Sequence, residues 1–261
     1  MQNSELNMKQ IPNLFTLLNL VCGCIAIVLI LQNGEQIVLL GNDGITNVNL
    51  PEKITWASYF IFAAAVIDFL DGFVARLFKA TSAMGVQLDS LADLVTFGVA
   101  PGLIVYQLLR ISFAQEVNGL DTSIVWLLPA LLIPLAGCWR LARFNIDSEQ
   151  SFSFKGLPIP SAGLFIASLP LIIWYPSFGI QIYLINKWVL YAIIILLSWL
   201  MVSTMRLPGL KFKDYSIKNN LPKYVFLVAA VVSFLFLQWL AIPVIIILYV
   251  ILSLTFKNKV A

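Results

Sequence analysis

The chain has 261 residues, 60% of them hydrophobic and 11% charged, with a mean hydropathy of +0.92. That balance excludes a soluble globular domain and indicates a polytopic membrane protein. The net charge of +3 comes from basic loops, which favours anionic lipid head groups as neighbours, and nucleic acid is not an expected partner.

Windows of roughly 17–25 apolar residues, enough to cross about 30 Å of hydrocarbon as helix, fall near 12–32, 55–78, 88–110, 123–142, 159–179 and 186–205. The first opens on Ile11-Pro12-Asn13 with Thr16, which reads as a helix start with Pro12 in the first turn. No small-residue cleavage pattern follows it, so it is expected as a retained anchor. A longer exterior loop is expected at about 33–54. The stretch 224–256 is too long for one span and long enough for two short ones joined by a tight turn near Gln238 to Pro243. The expected architecture is therefore all-α: one membrane domain over 1–261, with a six-helix core at about 11–205 and a C-terminal helix pair, eight helices in all.

The positive-inside rule sets the expected orientation. Of the 16 Lys and Arg, only Lys53, Arg110 and Lys187 fall on one side. The others are Lys9, Arg76, Lys79, Arg140, Arg143, Lys155, Arg206, Lys211, Lys213, Lys218, Lys223, Lys257 and Lys259. Both termini are thus predicted cytoplasmic, in an inner cell membrane. Cys22, Cys24 and Cys138 lie in apolar helices and read as ordinary buried thiols. With no histidine in the chain, a metal site must use carboxylates, amides or carbonyls, which favours magnesium, manganese or calcium over zinc.

The most informative segment reads Asp68-x-x-Asp71-Gly72-x-x-Ala75-Arg76, then Gly85-x-x-x-Asp89-x-x-x-Asp93. An aspartate at the centre of a membrane helix costs about 2.5–3.5 kcal/mol on insertion scales, so these four need compensation. At about 100° per residue, Asp68, Asp71, Gly72, Ala75 and Arg76 share one face of the second helix. Gly85, Asp89 and Asp93 recur every four residues on one stripe of the third, past a short hinge around Thr81 to Ala83. A hairpin brings the stripes together, and cations between the carboxylates relieve their repulsion; two such cations form the clamp of two-metal phosphoryl chemistry. Gly72, Ala75 and Gly85 leave room for a flat group such as a nucleotide base, or else permit close helix packing. Arg76 suits a phosphate by paired hydrogen bonds, or anchors the helix end.

The string from Asp68 to Asp93 resembles, at every defining position, the signature of the CDP-alcohol phosphatidyltransferases. These integral membrane enzymes move a phosphatidyl group from a CDP-linked lipid to an alcohol and release CMP. The resemblance implies a six-helix core, two divalent ions on Asp68, Asp71, Asp89 and Asp93, and a cytidine pocket near Gly72, Ala75 and Gly85. It further implies Asp93 as general base, with Asn13 and Thr16 approaching the nucleotide phosphates. Two further strings, Ser90 to Pro101 and Arg140-Leu141-Ala142-Arg143-Phe144-Asn145 followed by Phe154 to Ser161, are similar to the serine-using subgroup, the bacterial and archaeal phosphatidylserine synthases.

The expected partners are CDP-diacylglycerol, L-serine and the bilayer. Arg140, Arg143 and Asn145, at the cytoplasmic end of the fourth helix, are candidates for the serine carboxylate, though the arginines equally suit phosphate or topological anchoring. Lys155 shares that ambiguity, and Gly156, Pro158 and Pro160 are expected to shape a turn. Alternatives are a relative using another alcohol, and an ion-coupled transporter with intramembrane acids. Dimer-facing and lipid-facing apolar surface read alike, so a homodimer is compatible with the pattern.

Overall fold

The computed structural model describes residues 2–32, 38–40, 46–48, 50–77, 82–116, 121–147, 153–175, 177–208 and 217–255. Lys79, Thr81, Lys211, Lys213, Lys257, Lys259 and part of the exterior loop lie outside them. Helix α1 (Gln2–Leu31) runs beside α2 (Glu52–Leu77). Helix α3 (Ala83–Asp93) continues through a π-helical segment (Leu94–Val99) into α4 (Ala100–Ala114), making one rod. Two 3₁₀ turns, Ile124–Trp126 and Leu128–Leu131, lead into α5 (Leu132–Ile146). Then come α6 (Ile159–Trp174), the single-turn α7 (Gln181–Leu184), α8 (Lys187–Val202), α9 (Ile217–Leu237) and α10 (Ala241–Thr255). With α3 to α4 as one rod and α7 as a connector, the described residues form the eight-rod helical membrane bundle expected.

The C-terminal pair is a hairpin. Gln238 has φ +49° and starts a 3₁₀ turn, Gln238–Leu240, that reverses the chain. The Phe226 and Tyr249 rings consequently sit 5.8 Å apart, whereas a straight helix would separate these positions by roughly 34 Å.

Four features differ from expectation, the first being that Cys24 and Cys138 are exposed and only Cys22 is buried. Helix α1 begins at Gln2, so Pro12 lies inside the helix and is not its first turn; the missing proline N–H removes one rung of the ladder there. The third rod spans 83–114, longer than the window 88–110, because Gly85 and Gln87 lower the hydropathy of a first turn that is nonetheless helical. Two short antiparallel ribbons also form: β1 (Val38–Leu40) with β2 (Thr46–Val48), and β3 (Ser153–Lys155) with β4 (Arg206–Pro208).

The second ribbon ties the α5–α6 connection to the chain after α8. Gly156 follows it at φ +78°, and an added Cβ would lie 2.6 Å from the Met201 carbonyl oxygen, so only glycine fits. Its N–H donates to the Met205 carbonyl at 2.9 Å, and the Leu157 N–H donates to the Leu200 carbonyl at 3.0 Å. Gly156 thus shapes the turn, as expected.

At the opposite end of the bundle, Lys53 Nζ donates to Gln32 Oε1 at 3.3 Å and Lys187 pairs with Glu116 at 2.8 Å. Buried Gln107 donates to the Ile30 carbonyl at 3.2 Å and accepts from Arg110 at 3.1 Å. The three minority-side basic residues therefore sort to one end of the rods.

The interior is packed around Phe97, Ile61, Ile104, Leu108, Ile133 and Ile166, each fully buried. Small residues allow the rods to approach. Gly163 of α6 lies against the Phe97 backbone, where an added Cβ would stand 2.9 Å from the Phe97 Cα and carbonyl oxygen. Outward positions such as Leu135, Trp139, Trp199 and Phe234 are exposed and apolar, as a surface facing hydrocarbon requires. Gly163→Val is expected to destabilise the folded protein by about 1–3 kcal/mol through overpacking. A thermal melt in detergent, read by near-ultraviolet circular dichroism, measures the loss.

Candidate active site and metal centre

The site forms where α1, α2 and α3 meet. Ser82 caps α3, its Oγ accepting from the Gly85 N–H at 2.9 Å, which starts the helix with Gly85, Asp89 and Asp93 on one stripe. Facing them from α2 is Asp68. The carboxylates of Asp68, Asp89 and Asp93 converge, with one oxygen from each lying within 4.8 Å of the others.

Asp71 stands outside this trio. It follows Asp68 by three residues, so it projects about 60° to one side of it, just short of a full turn, toward α1. There its buried carboxylate accepts a hydrogen bond from Thr16. The Thr16 hydroxyl also lies 3.2 Å from the Pro12 carbonyl, one turn back.

An unpaired cluster of three carboxylates in a low-dielectric setting is strongly unfavourable. Its donor atoms are all carboxylate oxygens, the set that hard divalent cations prefer, so the residues present fit such an ion.

The remaining predicted site residues divide by surroundings. Gly72 faces open space, with nothing within 4 Å of an added Cβ, whereas a Cβ at Gly85 would lie 3.1 Å from both Asn13 Oδ1 and Ser82 Oγ. Asn13 is thus beside Gly85, Ala75 is half-buried and Arg76 is exposed. Arg140 is buried, stacks its guanidinium 5.7 Å from the Phe144 ring centroid, and has an Nε without a hydrogen-bond partner among the described residues. Its charge acts on Asp93.

Arg143 is engaged differently. Its Nη1 donates to the Val202 carbonyl at 2.9 Å, and its Nη2 to those of Ser203 at 2.9 Å and Met201 at 3.4 Å. The fork caps the carbonyl end of α8, where a cation also suits the helix dipole. Asn145 exchanges hydrogen bonds with Ser90, its Nδ2 donating at 2.9 Å and its Oδ1 accepting at 3.3 Å, and so braces α3 against α5 beside Asp89. Lys155 pairs with Asp147 at 2.6 Å.

One residue was missed: Asn19, fully buried on α1, whose Nδ2 donates to Asp93 Oδ1 at 3.3 Å. Its signal was present in the spacing Asn13-x-x-Thr16-x-x-Asn19, a polar stripe in an otherwise apolar helix.

The sequence profile described as CDP-alcohol phosphatidyltransferase matches residues 9–202. The chain belongs to the CDP-alcohol phosphatidyltransferase family. It is similar to a Bacillus subtilis CDP-diacylglycerol–serine O-phosphatidyltransferase, 32% identical over 217 residues that cover 81% of this chain and 96% of that protein. A Helicobacter pylori protein of the same name is 33% identical over 186 residues, covering 67% of this chain and 70% of its own. An archaetidylserine synthase of Methanothermobacter thermautotrophicus is 30% identical over 200 residues, covering 76% and 69% respectively. Membership of this transferase family sets the transporter reading aside. The family match ends at residue 202, before the C-terminal hairpin.

Asp89→Asn is expected to lower divalent-cation affinity about ten-fold or more, a loss at least as large as typical outer-shell changes. It should also raise the melting temperature of the chelator-treated protein, because an amide is less costly to bury than a third repelling carboxylate. Manganese titration by electron paramagnetic resonance and a melt in chelator measure the two effects.

Proposed function

We propose that this chain transfers the phosphatidyl group of CDP-diacylglycerol to the hydroxyl of L-serine and releases CMP. The observation that carries the reading is the convergence of the Asp68, Asp89 and Asp93 carboxylates, together with the buried Arg140, whose Nε has no hydrogen-bond partner among the described residues. It is supported by the serine-specific names of the relatives that the chain resembles over most of its length.

Two divalent ions, magnesium or manganese, held by Asp68, Asp89 and Asp93 with Asp71, would withdraw charge from the diphosphate and stabilise the CMP leaving group. The open face at Gly72, with Ala75 beside it, suits the approach of the cytosine ring. Asn13, next to Gly85, and Thr16 suit the phosphates, as does the exposed Arg76. Asp93 accepts the serine hydroxyl proton as its oxygen attacks the phosphorus that carries the lipid. The bond from that phosphorus to the CMP oxygen then breaks, and the phosphatidyl group passes directly to serine. No covalent enzyme intermediate is needed, since among the described residues the trio is accompanied by Asn19, Thr16 and Arg140 rather than by a cysteine, histidine or lysine nucleophile.

Arg140 is assigned to the serine carboxylate because its guanidinium retains an unmet donor, whereas the Arg143 fork is taken by three carbonyls. Asn145 supports the site through Ser90. The Asp68 and Arg76 end of α2 faces the cytoplasm in this reading, with the chain in the inner membrane as one domain.

Arg140→Lys keeps the charge and loses the fork. It is expected to raise the KM for serine about ten-fold, or ~1.4 kcal/mol, with a much smaller change for CDP-diacylglycerol. Arg143→Lys should instead lower the melting temperature and leave the serine KM within about two-fold, because lysine cannot cap three carbonyls. Steady-state CMP release with each substrate varied is the check. An unchanged serine KM in Arg140→Lys overturns the assignment.

A further inference from the structure

We propose that Asn19 is a positioning residue that fixes the carboxylate of Asp93 for proton transfer; this deepens the reading above and rests on it for the role of Asp93. Asn19 sits on α1, a different element from every carboxylate of the trio, and is fully buried. Its Nδ2 donates to Asp93 Oδ1 at 3.3 Å. The amide can take only one orientation there, since its oxygen would be repelled by the carboxylate. One oxygen of Asp93 is thereby held, and the other is left to the cluster and the incoming hydroxyl.

A neutral donor is the appropriate choice chemically. A lysine or arginine in this place would orient Asp93 equally well, but its positive charge would neutralise the carboxylate and compete with a divalent cation for it. An amide orients without neutralising.

The backbone beneath Asn19 is clamped as well. Immediately after Asp93 the rod widens into the π-helical segment Leu94–Val99, an arrangement frequent at functional sites. The segment carries buried Thr96, whose hydroxyl donates to the Asn19 carbonyl at 3.2 Å. Gly23, one turn further along α1, makes room for it: an added Cβ would stand 2.9 Å from the Thr96 Cα. Thr96 and Asp93 belong to the same rod, so one connection holds the Asn19 backbone and another holds its side chain. One hydrogen bond thus ties the base to α1, and a second ties its rod to the Asn19 backbone.

The other end of the amide is unsatisfied, for Asn19 Oδ1 is buried without a partner among the described residues. A leucine or alanine would avoid that cost. Retaining an amide despite it points to the donor end as the useful one.

The test compares Asn19→Ala, Asn19→Leu and Thr96→Val with wild type, in detergent and at saturating manganese. Asn19→Leu keeps the approximate bulk of the side chain and removes the donor without adding a charge; Thr96→Val removes only the hydroxyl that holds the Asn19 backbone. The expected result is a fall in kcat of about ten-fold or more for both Asn19 variants and a smaller fall for Thr96→Val. The KM for each substrate should stay within about two-fold, and manganese should still bind. Wild-type kcat in either Asn19→Leu or Thr96→Val overturns the proposal, as does a loss carried by KM or by manganese affinity with kcat retained. CMP release is followed with whichever alcohol the wild type consumes, so failure of the serine assignment is read separately from failure of this one.

Discussion

Everything in this fold follows from the need to keep three carboxylates together inside a membrane. Asp68, Asp89 and Asp93 bring oxygens within 4.8 Å of one another, Asp93 buried and the other two half-buried. Coulomb repulsion and desolvation act in the same direction there, and both favour a positive charge at the centre of the cluster. The folded helix bundle is therefore a device for enforcing an arrangement that its own side chains resist. That arrangement is also what attracts a divalent cation and, with it, a diphosphate.

The enforcement is done by backbone proximity and by neutral hydrogen bonds. Small residues let the rods close on each other: Gly23 against Thr96, Gly163 against Phe97, and Gly102 against Pro134, where an added Cβ would lie 2.9 Å from the proline ring. Around the acids, Thr16 holds Asp71, Asn19 holds Asp93, and Asn145 holds Ser90 beside Asp89. These partners are uncharged, so they orient the carboxylates and leave their charge for the ion. Arg140, the buried cation near Asp93, keeps an unmet donor. Arg143, one turn further on, spends its donors on the end of α8, and that capping fixes the floor on which the α5–α6 turn and Gly156 sit.

Much of this was legible in the amino-acid order because membrane helices have few ways to hide an acid. Four aspartates at helical spacing with glycines between them located the site, and hydropathy located the rods, including the reversal at Gln238. What escaped was long-range in origin. The carbonyls that occupy Arg143 lie as far as 60 residues downstream, and no local pattern distinguishes a capping arginine from a substrate-binding one. The β3–β4 ribbon is three residues deep and pairs segments that flank different helices. The 60° offset that turns Asp71 from the trio toward Thr16 follows from helical geometry, but only the position of α1 decides that a partner waits there. Asn19 was visible as part of a polar stripe, and its link to Asp93 required the packing of α1 on α3.

The most direct test of the central claim is substrate turnover as a function of free divalent cation. Purified protein in lipid nanodiscs would receive CDP-diacylglycerol and serine, with CMP and phospholipid product both quantified across a magnesium or manganese titration and in excess chelator. The account predicts equal amounts of CMP and phosphatidylserine, rising with the cation and absent in chelator. Full turnover in chelator would contradict it, because the acid trio would then have no chemical task to perform.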